Sequence, residues 1–286
     1  MFKKVFMLKV TREKAYGVTI EICSWLDKYG AEYACLDDAY QTFSNVTNMK
    51  HMAFPELIPW CDVVITVGGD GSVLNAGKQI VDYKKPILAI NAGRLAFMAG
   101  LESNELELLK NLIDGNYRLD RRMLIDVKVK RDGKTIIEDS CINDVVLARG
   151  QMLKITDIDV DCDGKRSSTY RADGVIVATP TGSSAYSLSA GGPVINPSME
   201  AIVVTPICPQ TLFSRSTVFS AENKIEIYCD EKSSNTDLYL SLDGGESINI
   251  GLSDRIEITK SEKTAEFIRI KSDAFFEILN KKLLDK

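Results

Sequence analysis

An aspartate set among glycines is the most chemically pointed feature of this sequence. Gly68-Gly69-Asp70-Gly71-Ser72 follows the β-branched run Cys61-Asp62-Val63-Val64-Ile65-Thr66-Val67 and precedes a helical pattern that begins near Ser72. Glycines let the backbone approach a phosphate with no Cβ in the way, and the next helix offers unpaired N–H groups and a positive dipole end. A carboxylate in such a loop repels phosphates unless it faces a metal ion or accepts a proton from an attacking hydroxyl, and both roles belong to phosphoryl transfer. The structural alternative is a glycine-rich turn whose aspartate caps the helix. A P-loop does not fit, because Gly71 to Gly77-Lys78 is one residue too long and Gln79 replaces the hydroxyl that would hold magnesium. A dinucleotide fingerprint starting at Gly69 would need a glycine where Leu74 stands.

Two further groups carry polar chemistry. Thr179-Pro180-Thr181-Gly182-Ser183-Ser184-Ala185-Tyr186-Ser187-Leu188-Ser189 continues into Ala190-Gly191-Gly192-Pro193, directly after Val175-Ile176-Val177. Dense hydroxyls and glycines at a strand-to-helix junction make an anion cradle, and Tyr186 is suited to stack on a base or cover a ribose. Ile142-Asn143-Asp144-Val145-Val146 places two adjacent polar side chains within an apolar strand. Neighbours in a strand face opposite ways, so the pair would either grip two parts of a ligand or cap a bulge.

The elements that must position these residues change in period along the chain. Val5-Phe6-Met7-Leu8 reads as a strand, residues 12–29 as a helix stopped by Gly30, Ala31 to Leu36 as a second strand, and Pro86 to Ile90 as another buried strand. The last delivers its end to the polar turn Asn91-Ala92-Gly93-Arg94, so two strand ends converge on one crevice of an α/β sheet. A helix over 104–114 closes this part. Beyond about residue 120 the period is two, in Ile125-Val127-Val129, Ile225-Ile227, Leu238-Leu240-Leu242, Ile256-Ile258 and Ile268-Ile270. The expectation is an α/β domain with a parallel sheet over 1–118 and a mostly antiparallel β domain over 119–270, with a short helical exception at Ser183 to Ala190. A terminal helix over 271–286 packs back on the first domain.

Composition narrows the chemistry. The 286 residues carry a formal charge of −5, which argues against a broad basic nucleic-acid surface. No run reaches the roughly 18 apolar residues of a membrane span. The N-terminal apolar stretch is too short for a signal peptide, and the seven cysteines are scattered without a Cys-x-x-Cys pair, the pattern of free thiols in a reducing cytoplasm. The single histidine, His51, cannot supply a multi-histidine metal site, and it reads as a solvated loop residue rather than a triad base.

Taken in order, Gly68-Gly69-Asp70-Gly71-Ser72, Asn91 to Phe97, Asn143-Asp144, Tyr170-Arg171-Ala172-Asp173-Gly174, the Thr179 to Pro193 run and Pro206-Ile207-Cys208-Pro209 resemble the motifs of bacterial NAD kinases. The glycine-aspartate loop is shared with phosphofructokinases and diacylglycerol-type lipid kinases, whereas the Thr179 run is diagnostic. The resemblance implies a two-domain fold and ATP-dependent phosphorylation of the adenosine ribose 2′-hydroxyl of NAD to give NADP. Asp70 would be the general base and Gly71 would lie against the nucleotide. Asn143 and Asp144 would hold the other ribose region. Phe97, Ser184, Ala185, Tyr186 and Ser189 would surround the adenine and its ribose, and Arg171 and Asp173 would line the nicotinamide side.

The same resemblance adds Asn75, Lys154, Thr181, Ser187, Leu188 and Asp243 to the nucleotide-binding set. It implies Mg2+ or another divalent cation with ATP, and a cytoplasmic homodimer or homotetramer with neither nucleic acid nor membrane as partner. Departures from the usual pattern are Ser72 for threonine, Asp144 for glutamate, Gln210 for histidine and Gly245 for glutamine. The alternatives are another kinase with this loop, acting on a sugar phosphate or lipid, and a non-catalytic NAD(P)-binding regulator.

Overall fold

The computed structural model describes residues 2–8, 13–93, 96–150, 155–211, 214–229, 237–271 and 275–284. They fall into two compact units, one formed by 1–121 with 265–286 and the other by 122–264. The unit boundaries lie inside two long strands, three residues past the expected first boundary and several residues before the second. A continuous hydrogen-bonded strand carries no turn signal where it passes from one unit to the next, so the period of the sequence does not mark the crossing.

In the first unit the chain runs β1 (Lys4–Met7), α1 (Glu13–Lys28), β2 (Glu32–Leu36), α2 (Tyr40–Phe43), β3 (Lys50–Met52), α3 (Phe54–Trp60), β4 (Val63–Val67), α4 (Asp70–Ile80), β5 (Ile87–Asn91), β6 (Leu101–Glu102) and α5 (Leu109–Asp114), and then enters β7 (Arg118–Arg131). The strands β3-β2-β1-β4-β5 pair in parallel, with β6 beside β5. The connection order reverses between β1 and β4, and ligands of open α/β sheets bind at such a reversal, beyond the carboxyl ends of the strands. α1 buries Ala15, Thr19, Ile22, Cys23 and Leu26 at helical spacing. It ends where Gly30 turns left-handed at φ +68° and Ala31 N–H donates to the Leu26 carbonyl at 3.0 Å. All five residues of β4 and of β5 are buried, as an internal parallel strand requires.

The second unit continues with β8 (Lys134–Cys141), β9 (Asp144–Arg149), β10 (Thr156–Cys162), β11 (Lys165–Ala172), β12 (Gly174–Ala178), α6 (Tyr186–Ser189), β13 (Ala201–Ile207), β14 (Thr217–Ser220), β15 (Ile225–Cys229), β16 (Leu238–Leu242), β17 (Ile248–Ile250) and β18 (Arg255–Arg269). A six-stranded sheet runs β14-β13-β12-β9-β16-β17, antiparallel throughout. A second antiparallel layer runs β11-β10-β15-β18, and β7 forms a hairpin with β8. Val127, Ile158, Ile227 and Ile256 of the second layer pack in one core with Val145, Val175, Val204 and Leu240 of the six-stranded sheet. β12 lacks alternation because Val175 and Val177 face this core while Ile176 and Ala178 are buried on the opposite face. α7 (Phe275–Leu284) returns to the first unit, where the Phe275 and Phe97 ring centroids lie 6.1 Å apart.

Candidate active site

In the first unit the glycine loop grows directly out of β4. Gly68 N–H donates to the Ile90 carbonyl at 2.9 Å, so the sheet hydrogen bonding holds the loop at the end of the strand. Gly68 has φ +157°, and a Cβ there would sit 2.3 Å from Ser72 Oγ, so both conformation and space demand glycine. Gly69 is the N-cap of α4 with no side-chain cap, and Ser72 N–H donates to its carbonyl at 2.9 Å. The helix therefore begins at Asp70, two residues before the expected start, because the glycine backbone rather than a hydroxyl opens it. Asp70 is half-buried, and its Oδ1 accepts Met98 N–H at 3.0 Å. Gly71 and Asn75, four apart on α4, are exposed on one face, where Asn75 Oδ1 accepts Gln79 Nε2 at 3.3 Å.

The loop after β5 is built around buried Asn91, whose Nδ2 donates to Glu102 at 2.8 Å and whose Oδ1 accepts Gly93 N–H at 3.0 Å. Phe97 is half-buried, and Gly100 packs so closely that a Cβ would meet the Ile268 carbonyl at 2.4 Å. Arg94 and Leu95 of the expected motif lie outside the described residues.

In the second unit the polar corner sits between β8 and β9, a break in the strand where the sequence suggests continuity. Asp243, with φ +53°, accepts the backbone N–H groups of Ile142 at 2.9 Å, Asn143 at 2.7 Å and Asp144 at 3.0 Å. Its own N–H returns to the Asp144 carbonyl at 2.9 Å. Thr179 secures the other side, donating from Oγ1 to the Ile142 carbonyl at 2.6 Å and from N–H to the Asn143 carbonyl at 2.8 Å. Gly182 lies against this corner, where a Cβ would meet the Asn143 carbonyl oxygen at 2.1 Å. Two consequences follow for chemistry. Asn143 Oδ1 is a buried acceptor without a protein donor, which is the condition of a group awaiting a ligand N–H or O–H. Asp144 is buried, and burial, with the Asp243 charge second, pushes its carboxyl up to about 7.

The hydroxyl run forms a short helical cap over this corner. Ser183 Oγ donates to the Pro180 carbonyl at 2.6 Å and accepts Ile195 N–H at 2.9 Å, Ser187 Oγ pairs with Thr205 Oγ1 at 3.0 Å, and Ser184 Oγ reaches the Thr181 carbonyl at 3.2 Å. Arg122, itself buried, donates to Thr181 Oγ1 at 3.2 Å. Tyr186 is 47% exposed and Ser189 is exposed, while Ala185 and Leu188 are half-buried. Asp173 pairs with Arg149 at 2.7 Å, and exposed Arg171 accepts Gln210 N–H on its carbonyl at 2.8 Å.

Two sequence profiles match this chain, that of the ATP-NAD kinase N-terminal domain over residues 7–117 and that of the ATP-NAD kinase C-terminal domain over 142–270. A NAD kinase of Caldanaerobacter subterraneus subsp. tengcongensis is 35% identical over 99% of this chain and 100% of its own length. The chain belongs to the ATP-NAD kinase family. A NAD kinase of Geobacter sulfurreducens is 33% identical over 99% of this chain and 98% of its own length. Among solved structures, yeast NADH kinase complexed with NADH aligns with a TM-score of 0.88 at 24% identity, over 98% of this chain and 87% of that one. An Archaeoglobus fulgidus NAD kinase in complex with ATP aligns with a TM-score of 0.75 at 24% identity, over 99% of both chains. These likenesses show the two-domain NAD kinase fold, and membership makes the chain a phosphotransferase.

Within this NAD kinase fold the expected site residues do not all serve alike. Asp70, Gly71 and Asn75 gather on one helix start, and Asn143 and Asp144 on one corner. Asp243 accepts three backbone N–H groups and so shapes that corner. Ser187 and Thr181 have hydroxyls engaged by protein partners. Lys154 lies outside the described residues. His51 is not a solvated loop residue: it lies in β3, half-buried, with Nδ1 3.3 Å from Cys35 Sγ. A three-residue edge strand is too short for alternation to reveal. Arg122, Arg149 and Arg269 support the site residues and were absent from the sequence reading, because each acts on backbone or side chains distant in sequence, where local pattern carries no signal.

Proposed function

We propose that this chain transfers the terminal phosphate of ATP to the 2′-hydroxyl of the adenosine ribose of NAD, yielding NADP, with Asp70 as the general base. The observation that carries the reading is the placement of Asp70. It is the first residue of α4, at the carboxyl end of β4 beside the reversal in strand order, with one carboxylate oxygen held by a backbone amide. A carboxylate so held is oriented before substrate arrives, which is what in-line attack by a positioned hydroxyl requires. The uncapped start of α4 supplies amide donors and a positive dipole end for the phosphates that a carboxylate alone would repel.

The corner at Asn143 and Asp144 supports recognition of a ligand rich in hydroxyls. Asn143 Oδ1 offers an unused acceptor, and an Asp144 carboxyl titrating near neutrality serves as donor or acceptor to a ribose hydroxyl. Exposed Tyr186 suits stacking on an adenine. Arg171 and Asp173 take the nicotinamide side in this reading, and Phe97, Ser184, Ala185 and Ser189 the adenosine side.

The divalent cation, Mg2+ by preference, arrives with ATP as part of the substrate. Bound to the triphosphate, the cation would neutralise charge on the transferring phosphate.

The protein works in this reading as a cytoplasmic homodimer or homotetramer. Its seven cysteines form no disulfides, and no described helix is long and apolar enough to cross a membrane. The test of the function is a coupled assay for NADP formation from NAD with Mg2+ and ATP, with fructose 6-phosphate and diacylglycerol as rival acceptors. NADP formation that Asp70→Asn lowers by about 10²–10⁴ without loss of NAD binding supports the reading. Phosphorylation of a rival acceptor in place of NAD overturns it.

A further inference from the structure

Asp70 is held by a peptide group that is itself held from behind. The N–H of the Phe97–Met98 peptide donates to Asp70 Oδ1 at 3.0 Å. The carbonyl of that same peptide, Phe97 O, faces the guanidinium of Arg269, with a long 3.5 Å contact to Nη2. Nη1 of Arg269 donates to the Ala99 carbonyl on the other side of Met98, and Nε forms an ion pair with Asp120 at 2.9 Å. The guanidinium is nearly buried, with its side chain 12% exposed. All of these residues belong to the first unit.

A peptide group is planar and trans, so its N–H and C=O point in opposite directions. Fixing the carbonyls on either side of Met98 therefore fixes the direction of the N–H that meets the carboxylate. A guanidinium suits this task because its planar fork engages two carbonyls and a carboxylate at once, which an ammonium cannot do in the same geometry. Asp120 sets the rotation of the fork. The backbone leaves little slack nearby, since Gly100 N–H is bonded to the Ala89 carbonyl at 2.8 Å and Gly100 has no room for a Cβ against Ile268.

We propose that Arg269, oriented by Asp120, is a positioning residue for catalysis: it holds the Phe97–Met98 peptide so that Met98 N–H orients the Asp70 carboxylate towards the attacking hydroxyl. The proposal rests on the reading of Asp70 as the base. Arg269 touches no reacting atom, so its contribution appears in turnover and vanishes when Asp70 can no longer act.

The experiment is a double-mutant cycle on the full-length enzyme with Arg269→Lys, Asp70→Asn and the pair, joined to amide hydrogen exchange of residues 96–100. Arg269→Lys lowers kcat about tenfold, with KM for NAD and for ATP within about twofold, since a small misalignment of a reacting group is costly in rate. In the Asp70→Asn background the same change costs less than about twofold, because coupled residues lose together. Millimolar guanidinium restores part of the turnover of Arg269→Ala, and exchange at Met98 N–H quickens in Arg269→Lys while exchange along β4 does not.

Equal losses in both backgrounds, or a rise in KM at constant kcat, overturn the proposal. If an Arg269 variant fails to fold, Asp120→Asn, which leaves the guanidinium in place but frees its rotation, is expected to lower kcat about threefold by the same criteria. Unchanged turnover there overturns it. If the wild-type protein forms no NADP, the functional reading falls, and Met98 exchange still reports whether Arg269 holds the peptide.

Discussion

Two corners of this molecule are built around aspartates, and they put the same side chain to opposite uses. In the first unit, Asp70 stands at a helix start among glycines, half-buried, with the backbone amide of Met98 on one oxygen. In the second, Asp243 is saturated by three backbone amides, while its neighbour Asp144 is buried beside it and pushed up to about 7. The difference lies in the donors and the solvent around each carboxylate. An amide on one oxygen orients a carboxylate, three amides convert it into part of the scaffold, and burial favours the protonated form.

The comparison breaks most decisively at Asp70. Asp70→Asn keeps the shape and the Met98 contact but removes the proton acceptor, and kcat for NADP formation falls by about 10²–10⁴ while NAD affinity changes little. Steady-state kinetics with equilibrium dialysis of NAD reads both. Near-normal turnover would place Asp70 with Asp243, among the aspartates that only hold backbone.

Asp243→Ala is the counterpart and acts on stability. It strips three amides of their acceptor and puts alanine at a positive φ that aspartate and asparagine tolerate better, at a cost of about 3 kcal/mol, or roughly 10 °C in Tm. Asp243→Asn, which keeps one acceptor oxygen and the backbone preference, loses about half as much. Thermal unfolding of both variants measures this, and an alanine variant as stable as wild type would show that Thr179 alone holds the corner.

Gly182→Ala sharpens the same point from the other side. Its Cβ would press on backbone, the Asn143 carbonyl oxygen at 2.1 Å, so the neighbour cannot rotate away. A loss of about 2 kcal/mol in thermal unfolding is expected, with a raised KM for NAD as the corner shifts. A neutral substitution would mean that the corner moves freely, against the bonds described for it.

These corners also mark how far the sequence could be read. Strands β1, β4 and β5, helix α1 and the glycine loop were legible because buried strands and an amphipathic helix write their period into consecutive residues, and Gly30 punctuates α1. Asp70 stands out in the sequence as a candidate because a carboxylate among glycines has few uses besides capping a helix. By contrast, the break at Asn143-Asp144 comes from Asp243 and Thr179, far along the chain, and locally it shows only as two polar residues within an apolar strand. Lys50–Met52 and Phe54–Trp60, a strand of three residues and a short helix with Pro55 and Pro59, are too brief and too proline-marked to announce themselves. Arg269 is invisible for the deeper reason that its partners, Ala99, Phe97 and Asp120, are united only by the fold.

The subtlest contrast is carried by Asp144, whose folded carboxyl titrates at about 7 against 3.8 for the unperturbed group. Below about pH 4 both folded and unfolded chains hold the proton, and the residue contributes nothing to pH dependence. Between about 4 and 7 the unfolded chain ionises while the folded one stays protonated, so wild-type stability falls with rising pH, and above 7 the penalty is constant. An asparagine at this position does not titrate and has nearly the same shape. Asp144→Asn should therefore match wild type in Tm at pH 4 and exceed it by roughly 8 °C at pH 8. A difference independent of pH would mean that Asp144 ionises in the folded protein as freely as in the unfolded chain.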